Sequence, residues 1–263
     1  MNITRMYLKT NAKDVLRTKY WPFFFISLLQ VVFSGYMGLR INVDDIRHIQ
    51  NIPAFFSLIG AGSVLSILIT IFLVNPFSVG YKKFLIHNSE NEITSYSMLW
   101  DVFKTNYIET VKNTFMVSLM LFLWSLPMLV GSAVMLGAAT VFSLNSFTAS
   151  VLAIVVYAAG FLIFLGGAIL SLFKRYSYYM TDYIYAENPD MTWRELISES
   201  KRMMFGYGFF TFVTELSFIG WYLLGAILCG IGALFVNPYK DATMTQLYLE
   251  LRGPKNYGYT IID

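Results

Sequence analysis

Long apolar runs alternate with polar segments along the 263 residues of this chain. Each of five runs approaches or exceeds the roughly 20 residues that a helix needs to cross a bilayer. The pattern predicts an all-α fold, a polytopic helical membrane protein with five to six transmembrane helices. The runs cover residues 21–39, 53–74, 114–139, 147–173 and 209–236.

The last run, 209–236, allows two interpretations, because it is too long for one upright span and too short for two full ones. A single tilted span places the C-terminal tail outside the cell. A short hairpin that turns near 225–232 instead returns Asn237-Pro238-Tyr239 to the cytoplasmic side. The second run closes on the similar Asn75-Pro76-Phe77, and this match favours the hairpin.

The hairpin interpretation makes a prediction about the tail. Residues 241–252 form a short helix that ends at Gly253-Pro254 and packs beside residues 81–86. In the two Asn-Pro pairs, Asn75-Pro76 and Asn237-Pro238, we expect the proline to end or bend the helix. The asparagine can then hydrogen bond to the freed backbone.

Lysine and arginine are unevenly distributed among the polar segments. The N-terminal lead carries five, the segments 76–113 and 174–208 carry four and five, residues 40–52 carry two, and 140–146 carry none. Cytoplasmic flanks of membrane helices have an excess of these residues. The distribution therefore predicts that the N-terminus and both large polar segments are cytoplasmic.

The lead, residues 3–20, has the pattern of an amphipathic helix with one basic stripe. A helix of this kind can lie in the headgroup layer of an anionic leaflet, or its charges can serve only to orient the first span. We expect contact with the lipid bilayer, in particular with anionic lipid at the cytoplasmic face. The cations of this basic stripe recur every four residues: Arg5, Lys9, Lys13 and Arg17.

Three polar segments, each of which precedes an apolar run, align without gaps. The alignment predicts a threefold internal repeat with units 1–90, 91–187 and 188–263, in which a cytoplasmic amphipathic helix precedes each span. Chance similarity between helices of like pattern is the alternative. The aligned positions are Thr4, Ser95 and Thr192, then Leu8, Leu99 and Leu196, then Lys13, Lys104 and Lys201.

Two segments carry a family resemblance. The first is Leu216-Ser217-Phe218-Ile219-Gly220-Trp221 with Gly230-Ile231-Gly232 and Pro238-Tyr239, and the second is Tyr185-Ala186-Glu187-Asn188-Pro189 with Ser200-Lys201-Arg202-Met203-Met204. The chain thereby resembles a bacterial membrane-protein family catalogued as domain of unknown function 975. The resemblance implies a helical membrane fold and a multi-pass location in a bacterial cell membrane. It implies no activity.

Composition narrows the chemistry further. Only 13% of residues are charged, against about 25% in soluble domains. The one cysteine, Cys229, excludes an intramolecular disulfide, and two distant histidines, His48 and His87, do not indicate a metal site. Phosphate-binding glycine loops and hydrolase motifs are absent from the sequence. We therefore expect neither an enzyme nor a cofactor, and no nucleic-acid partner.

Glu215 is the strongest candidate for an intramembrane polar group, and Gln30 in the first run is a weaker one. Ionisable side chains inside spans are costly, so they are functional candidates by default. A structural hydrogen bond to a neighbouring helix is the simpler explanation of Glu215.

Three functions remain open on these observations. The first is a scaffold or accessory that organises lipid, a membrane-protein partner or further copies of itself through cytoplasmic amphipathic helices. The second is a small transporter, exporter component or channel that uses Glu215. The third is a lipid-modifying enzyme, which no visible catalytic constellation supports.

Overall fold

A computed structural model describes residues 3–35, 65–90, 95–142, 147–227 and 232–253, and this part of the chain is helical apart from short connections. A π-helical turn, Thr70–Val74, leads directly into α2, and a 3₁₀ turn, Ser97–Leu99, precedes α3. The helices are α1 (Arg5–Gly35), α2 (Asn75–Glu90), α3 (Asp101–Lys104), α4 (Tyr107–Phe142), α5 (Phe147–Ser177), α6 (Thr181–Glu187), α7 (Trp193–Met204), α8 (Gly208–Leu216), α9 (Ile219–Ile227) and α10 (Gly232–Arg252).

Four helical stretches among the described residues are long and apolar enough to cross a bilayer: Leu65–Glu90, Tyr107–Phe142, Ser150–Glu187 and Gly208–Gly225. This is the composition of a multi-pass membrane protein. The count of five to six spans stays a prediction, because the runs at 21–39 and 53–74 extend beyond the described residues. The polar segment 40–52 and Cys229 also lie outside them.

Internal contacts divide the chain into two compact units. Unit 1 comprises residues 1–114, 182–192 and 213–263, and unit 2 comprises residues 115–181 and 193–212. Each unit therefore combines segments that are distant in sequence.

Unit 1 is built on α1, α2 and α10, whose buried faces meet in one hydrophobic core. On α1 the buried positions recur at intervals of four and seven, which places them on one face of the helix. The core side chains include Ala12, Leu16 and Phe23 from α1, Phe77 and Phe84 from α2, and Ala242 from α10.

Helix α1 contains one backbone irregularity, at Lys19 (φ −120°, ψ 23°). Pro22 follows three residues later, and proline has no N–H to donate and crowds the backbone one turn earlier. The Lys19 side chain is buried, and its ammonium donates a hydrogen bond to the backbone carbonyl of Asn88, 2.8 Å away. The irregularity thus lies at the predicted junction between the lead and the first apolar run.

Of the two expectations for Asn75-Pro76, that the proline ends or bends the helix, the first is wrong. The helix continues from Leu65 to Glu90, and the π turn Thr70–Val74 lies immediately before the pair. The Asn75 N–H donates to the carbonyl of Thr70, five residues back. This wider turn gives the backbone room where the proline ring would otherwise collide with the preceding turn.

Asn237-Pro238 does not end a helix either, because both residues lie inside α10. The Asn237 side chain accepts a hydrogen bond from the Tyr222 hydroxyl (2.7 Å). A Cβ atom placed on Gly232 would lie 2.5 Å from Gly225 Cα, so α9 and the start of α10 run antiparallel in close contact. The described helices before and after residues 228–231 are thus antiparallel, which is the arrangement that the hairpin interpretation requires.

The predicted end of the tail helix is confirmed, but the predicted start at residue 241 is wrong, because α10 already begins at Gly232. Helix α10 ends at Arg252, and Gly253 adopts φ 75°, a left-handed conformation that glycine accepts without strain. Met244, Leu247 and Tyr248 are buried, and α10 contacts α2 as expected. On which side of the membrane the tail lies stays a prediction.

Unit 2 is built on α4 and α5, which approach closely at glycines. A Cβ atom on Gly131 would lie 2.3 Å from the backbone nitrogen of Phe164, and one on Gly167 would lie 2.3 Å from that of Met128. Gly160 also contacts α4, but Gly166 faces open space. Small residues are expected where membrane helices pack this tightly.

The proposed repeat shows one regularity. Leu8, Leu99 and Leu196 are all buried, and Lys13, Lys104 and Lys201 are all exposed. Any amphipathic helix of this pattern buries the same positions, so the threefold repeat stays a prediction.

Candidate functional site

Polar and ionisable side chains gather inside unit 1, where residues of α1, α2, α6 and α10 meet. Spacing of three and four residues along α2 places its contributors on one face of that helix. The members of this polar cluster are Ser27 from α1, Ser78, Tyr81 and Lys82 from α2, Asp182 and Tyr183 from α6, and Asp241 from α10.

The centre of the polar cluster is a hydrogen bond from the Tyr81 hydroxyl to Asp241 Oδ2, 2.5 Å long. The Ser27 hydroxyl lies 2.8 Å from the Tyr81 oxygen and 3.5 Å from the same carboxylate oxygen. Tyr81 and Ser27 are almost completely buried. Because a buried carboxylate is costly unless it is hydrogen bonded, these two donors hold Asp241 in place and fix α10 against α1 and α2.

Lys82 supplies the positive charge of the cluster. Its ammonium lies 4.7 Å from the centre of the Tyr183 ring and 5.2 Å from that of Tyr81, which are cation–π distances. On the same face of α2, the Ser78 hydroxyl donates to Asp182 Oδ2 (3.1 Å). The buried Tyr183 hydroxyl faces the Lys82 ammonium and the Thr245 hydroxyl.

A second polar group, here called the C-terminal clamp, lies farther along α10. The Tyr183 and Tyr248 rings stack with centres 5.1 Å apart, and the Tyr248 hydroxyl donates to Glu187 (2.6 Å). Arg252 forms short ion pairs with both Glu187 and Glu90. The clamp thus joins the end of α10 to α6 and to the end of α2.

The contacts of the C-terminal clamp shift the pKa values of Tyr248 and Arg252. Burial raises the pKa of Tyr248, and the hydrogen bond to Glu187 raises it further. Burial by itself would lower the pKa of Arg252, but the hydrogen bond to Glu90 and the charge of Glu187 outweigh it and raise the pKa. Arg252 therefore stays charged and Tyr248 stays neutral at physiological pH.

The Tyr248→Phe variant should lose less stability in alkali than the wild type. In the unfolded chain tyrosine ionises near pH ~10, whereas folded Tyr248, with its raised pKa, stays neutral. Its contribution is therefore fully present below about pH 10 and declines as the pH rises above that value. Thermal unfolding at about pH 9 and pH 11 measures the difference. Equal pH dependence in the two proteins would contradict the assignment.

The chemistry open to these groups is limited. In the polar cluster Tyr81 donates a hydrogen bond to Asp241 and keeps its proton, because a phenol is a much weaker acid than a carboxylic acid. Within the described residues, no group of three or more histidine, cysteine, aspartate and glutamate side chains is placed to hold a metal ion. What the arrangement does most directly is to connect helices that are remote in sequence.

The sequence candidates lie elsewhere. Glu215, on α8, is partly buried, with an oxygen 3.8 Å from the Lys240 ammonium, so an ion pair rather than an isolated charge occupies this position. Gln30 is a partly buried residue of α1. The structure brings neither of them into the polar cluster.

The basic stripe of α1 is divided between the interior and the surface. Lys9 donates a hydrogen bond to the Ser217 hydroxyl (2.7 Å) and lies over the Phe218 ring. Burial and the neighbouring charges of Arg5 and Lys13 lower its pKa.

The other three cations of the stripe are exposed. Arg17 forms a solvent-exposed ion pair with Asp14 (3.2 Å). Arg5 and Lys13 project from the surface, and the Lys13 ammonium lies 5.8 Å from the Tyr239 ring centre.

The proline and aromatic residues of the two Asn-Pro segments pack within unit 1. Pro76 and Pro238 are buried inside α2 and α10, and the Tyr239 ring packs edge-on against Phe218. Trp221 is exposed on α9.

Tyrosines recur directly after the fourth run, where an interfacial belt is usual, but in the structure most of them are interior. Tyr176, Tyr178, Tyr183 and Tyr185 are buried. Their hydroxyls and rings find partners inside the protein, as in the hydrogen bond that Trp124 Nε1 donates to Tyr178 (3.1 Å).

Sequence reasoning missed the polar cluster. Lys82 was counted only as a charge that sets topology, and nothing near Asp182 or Asp241 in sequence distinguishes them from surface residues. The available signal was the spacing of Ser78, Tyr81 and Lys82, which is that of one helix face.

Comparisons with known proteins give one match. The sequence family described as "Protein of unknown function (DUF975)" matches residues 1–255, which include both signature segments. No curated protein and no solved structure matches the chain.

Proposed function

The chain belongs to the DUF975 family, whose function is unknown, and we propose that it is a bacterial membrane scaffold that organises anionic lipid around its cytoplasmic face. In this proposal the exposed surface of α1 binds lipid headgroups, and neither catalysis nor a cofactor is involved. The same surface also suits a membrane-protein partner or a second copy of the chain, since both can share a boundary of ordered lipid.

The observation that carries the proposal is the composition of the outer face of α1. Arg5, Lys13 and Arg17 are exposed, while Ala12, Leu16 and Phe23 of the same helix are buried in the core of unit 1. Large apolar side chains share the exposed surface: Met6 is 81% exposed and Trp21 is 59% exposed. A helix that presents cations beside apolar and aromatic side chains matches the boundary between headgroups and acyl chains.

The polar groups that could have supported transport are instead directed inward. Glu215 faces Lys240, and the polar cluster connects α1, α2, α6 and α10 through hydrogen bonds. A rigid unit 1 that holds α1 at a fixed depth is what a lipid-organising surface needs. We therefore favour lipid organisation over transport as the function.

The test uses the full-length protein in neutral detergent, with Cys229→Ser and a fluorophore on Thr10→Cys, an exposed position of α1. Phosphatidylglycerol with brominated chains should quench the fluorophore at lower concentration than brominated phosphatidylcholine. In the variant Arg5→Gln/Lys13→Gln/Arg17→Gln we expect the preference to fall by about a hundredfold, because each of the three surface cations contributes about 1 kcal/mol to anionic lipid binding. Raised salt should weaken the preference in the same direction.

Two control variants should not reduce the preference for anionic lipid. Lys104→Gln removes an exposed cation of unit 1 outside α1 and should leave the preference unchanged. Asp14→Asn removes the carboxylate that pairs with Arg17 and should increase it. Equal quenching by the two lipids in the wild type would refute the lipid-binding role of α1.

A further inference from the structure

Unit 2 contains the whole net charge of the chain. Its residues 115–181 and 193–212 include five cations and two carboxylates, which gives a formal charge of +3. The complete chain also has a formal charge of +3, so unit 1 is neutral overall. All seven of these charged residues lie between 174 and 202, at the end of α5 and on α7.

Two of these cations flank one aromatic pair. Trp124 Nε1 donates a hydrogen bond to the Tyr178 hydroxyl (3.1 Å). The Lys174 ammonium lies 4.2 Å from the Trp124 ring centre, and the Lys201 ammonium lies 5.4 Å from that of Tyr178. Two positive charges from different helices thus meet at a single hydrogen-bonded Trp–Tyr pair.

Neither ammonium forms an ion pair with a carboxylate in the part of the chain that the structure describes. The carboxylate of Glu199, on the same helix as Lys201, is occupied by Arg202. Lys174 lies in the last turn of α5, where a cation is favourable for the helix dipole. Both lysines therefore retain hydrogen-bond donors for an external anion.

The surroundings of the two lysines are apolar. Phe173 directly precedes Lys174 and is 66% exposed, and Phe205 follows Lys201 by four residues and is 87% exposed. An inorganic anion gains nothing from exposed phenylalanines, whereas an anionic phospholipid presents a phosphate and acyl chains together.

We propose that Lys174 and Lys201 bind the phosphate of an anionic phospholipid headgroup beside the Trp124–Tyr178 pair. This site in unit 2 extends the lipid-organising function proposed for α1 by adding a second, specific lipid contact. The ammonium groups provide the charge, the Trp–Tyr pair orients them, and the exposed phenylalanines contact the acyl chains.

The experiment again uses the full-length protein in neutral detergent, with Cys229→Ser and a fluorophore on Ser198→Cys, an exposed position of α7. Brominated phosphatidylglycerol, brominated phosphatidylcholine and inorganic phosphate are titrated separately. Lys174→Gln/Lys201→Gln should raise the dissociation constant for phosphatidylglycerol by about thirtyfold, since two surface cations are lost. Lys174→Arg/Lys201→Arg should restore most of the binding, and inorganic phosphate should not displace the lipid.

The outcomes separate this site from the α1 surface. The double glutamine variant should leave quenching at Thr10→Cys unchanged, and the α1 triple variant should leave quenching at Ser198→Cys unchanged. If the double variant melts earlier but binds phosphatidylglycerol as the wild type does, the lysines only support packing and the site is refuted. Displacement by inorganic phosphate would also refute it. If the double variant does not fold, the single variant Lys201→Gln is titrated instead. The Lys201 side chain is exposed, so its replacement should not disturb the packing.

Discussion

Gly167→Ala is expected to destabilise the protein by about 2–3 kcal/mol, which is the range for overpacking a close contact. The added methyl group would lie 2.3 Å from the backbone nitrogen of Met128, a distance that no relaxed structure permits. Backbone atoms cannot rotate away as a side chain can, so α4 and α5 must separate to admit the methyl group. A lower midpoint of thermal unfolding in detergent, followed by tryptophan fluorescence, is the measurement.

The neighbouring residue provides a matched control. Gly166 faces open space, so Gly166→Ala introduces the same methyl group without a collision. Alanine favours a helix over glycine by about 1 kcal/mol, and the control should therefore melt at the wild-type temperature or slightly above it. Gly131→Ala, which meets the backbone of Phe164, should behave like Gly167→Ala. Equal losses from Gly166→Ala and Gly167→Ala would mean that the close contact of α4 and α5 is wrong.

Arg252→Ala is expected to cost about 2 kcal/mol, because it removes the cation from a partly buried network of charge-assisted hydrogen bonds. The Arg252 side chain is only 17% exposed and bridges Glu90 and Glu187. Without it, two carboxylates and the Tyr248 hydroxyl face each other in a poorly solvated place. We expect a lower midpoint of thermal unfolding and faster proteolysis within α10, both measured in detergent.

The same kind of pair exists on the surface as a control. Arg202 pairs with Glu199 at 2.5 Å, but its side chain is 77% exposed, and Arg202→Ala should cause no measurable change. Adding Glu187→Gln to Arg252→Ala should recover part of the loss, since it removes one of the stranded charges. If Arg252→Ala and Arg202→Ala have equal effects, the clamp contributes no stability to unit 1.

Much of the architecture is predictable from local pattern alone. Helices of membrane length follow from the apolar runs, because the bilayer imposes the same length requirement on every span. The end of α10 at Arg252 follows from Gly253, and the buried face of α1 follows from the four-residue spacing. Among the glycines of the fourth run, Gly160 and Gly167 contact α4. Which of Gly166 and Gly167 faces the neighbouring helix depends on the rotation of α5, which no local pattern specifies.

The local rules failed at the two prolines. Pro76 and Pro238 both lie inside helices, although proline usually ends one. At Pro76 the compensation is local, because the wider π turn before it relieves the steric conflict. At Asn237, the compensating partner is Tyr222, from the antiparallel helix α9.

By itself the sequence determined the class of this protein: a helical membrane chain with a cationic lead, since hydrophobic length and charge distribution are properties of consecutive residues. Only the tertiary structure decided which polar residues act together. Ser27 and Asp241 are separated by 214 positions and meet at Tyr81, while Glu215, the most conspicuous acid in the sequence, lies outside the cluster beside Lys240. The physical reason is that a buried charge needs partners at hydrogen-bond distance, and those partners come from helices that the chain brings together only when it folds.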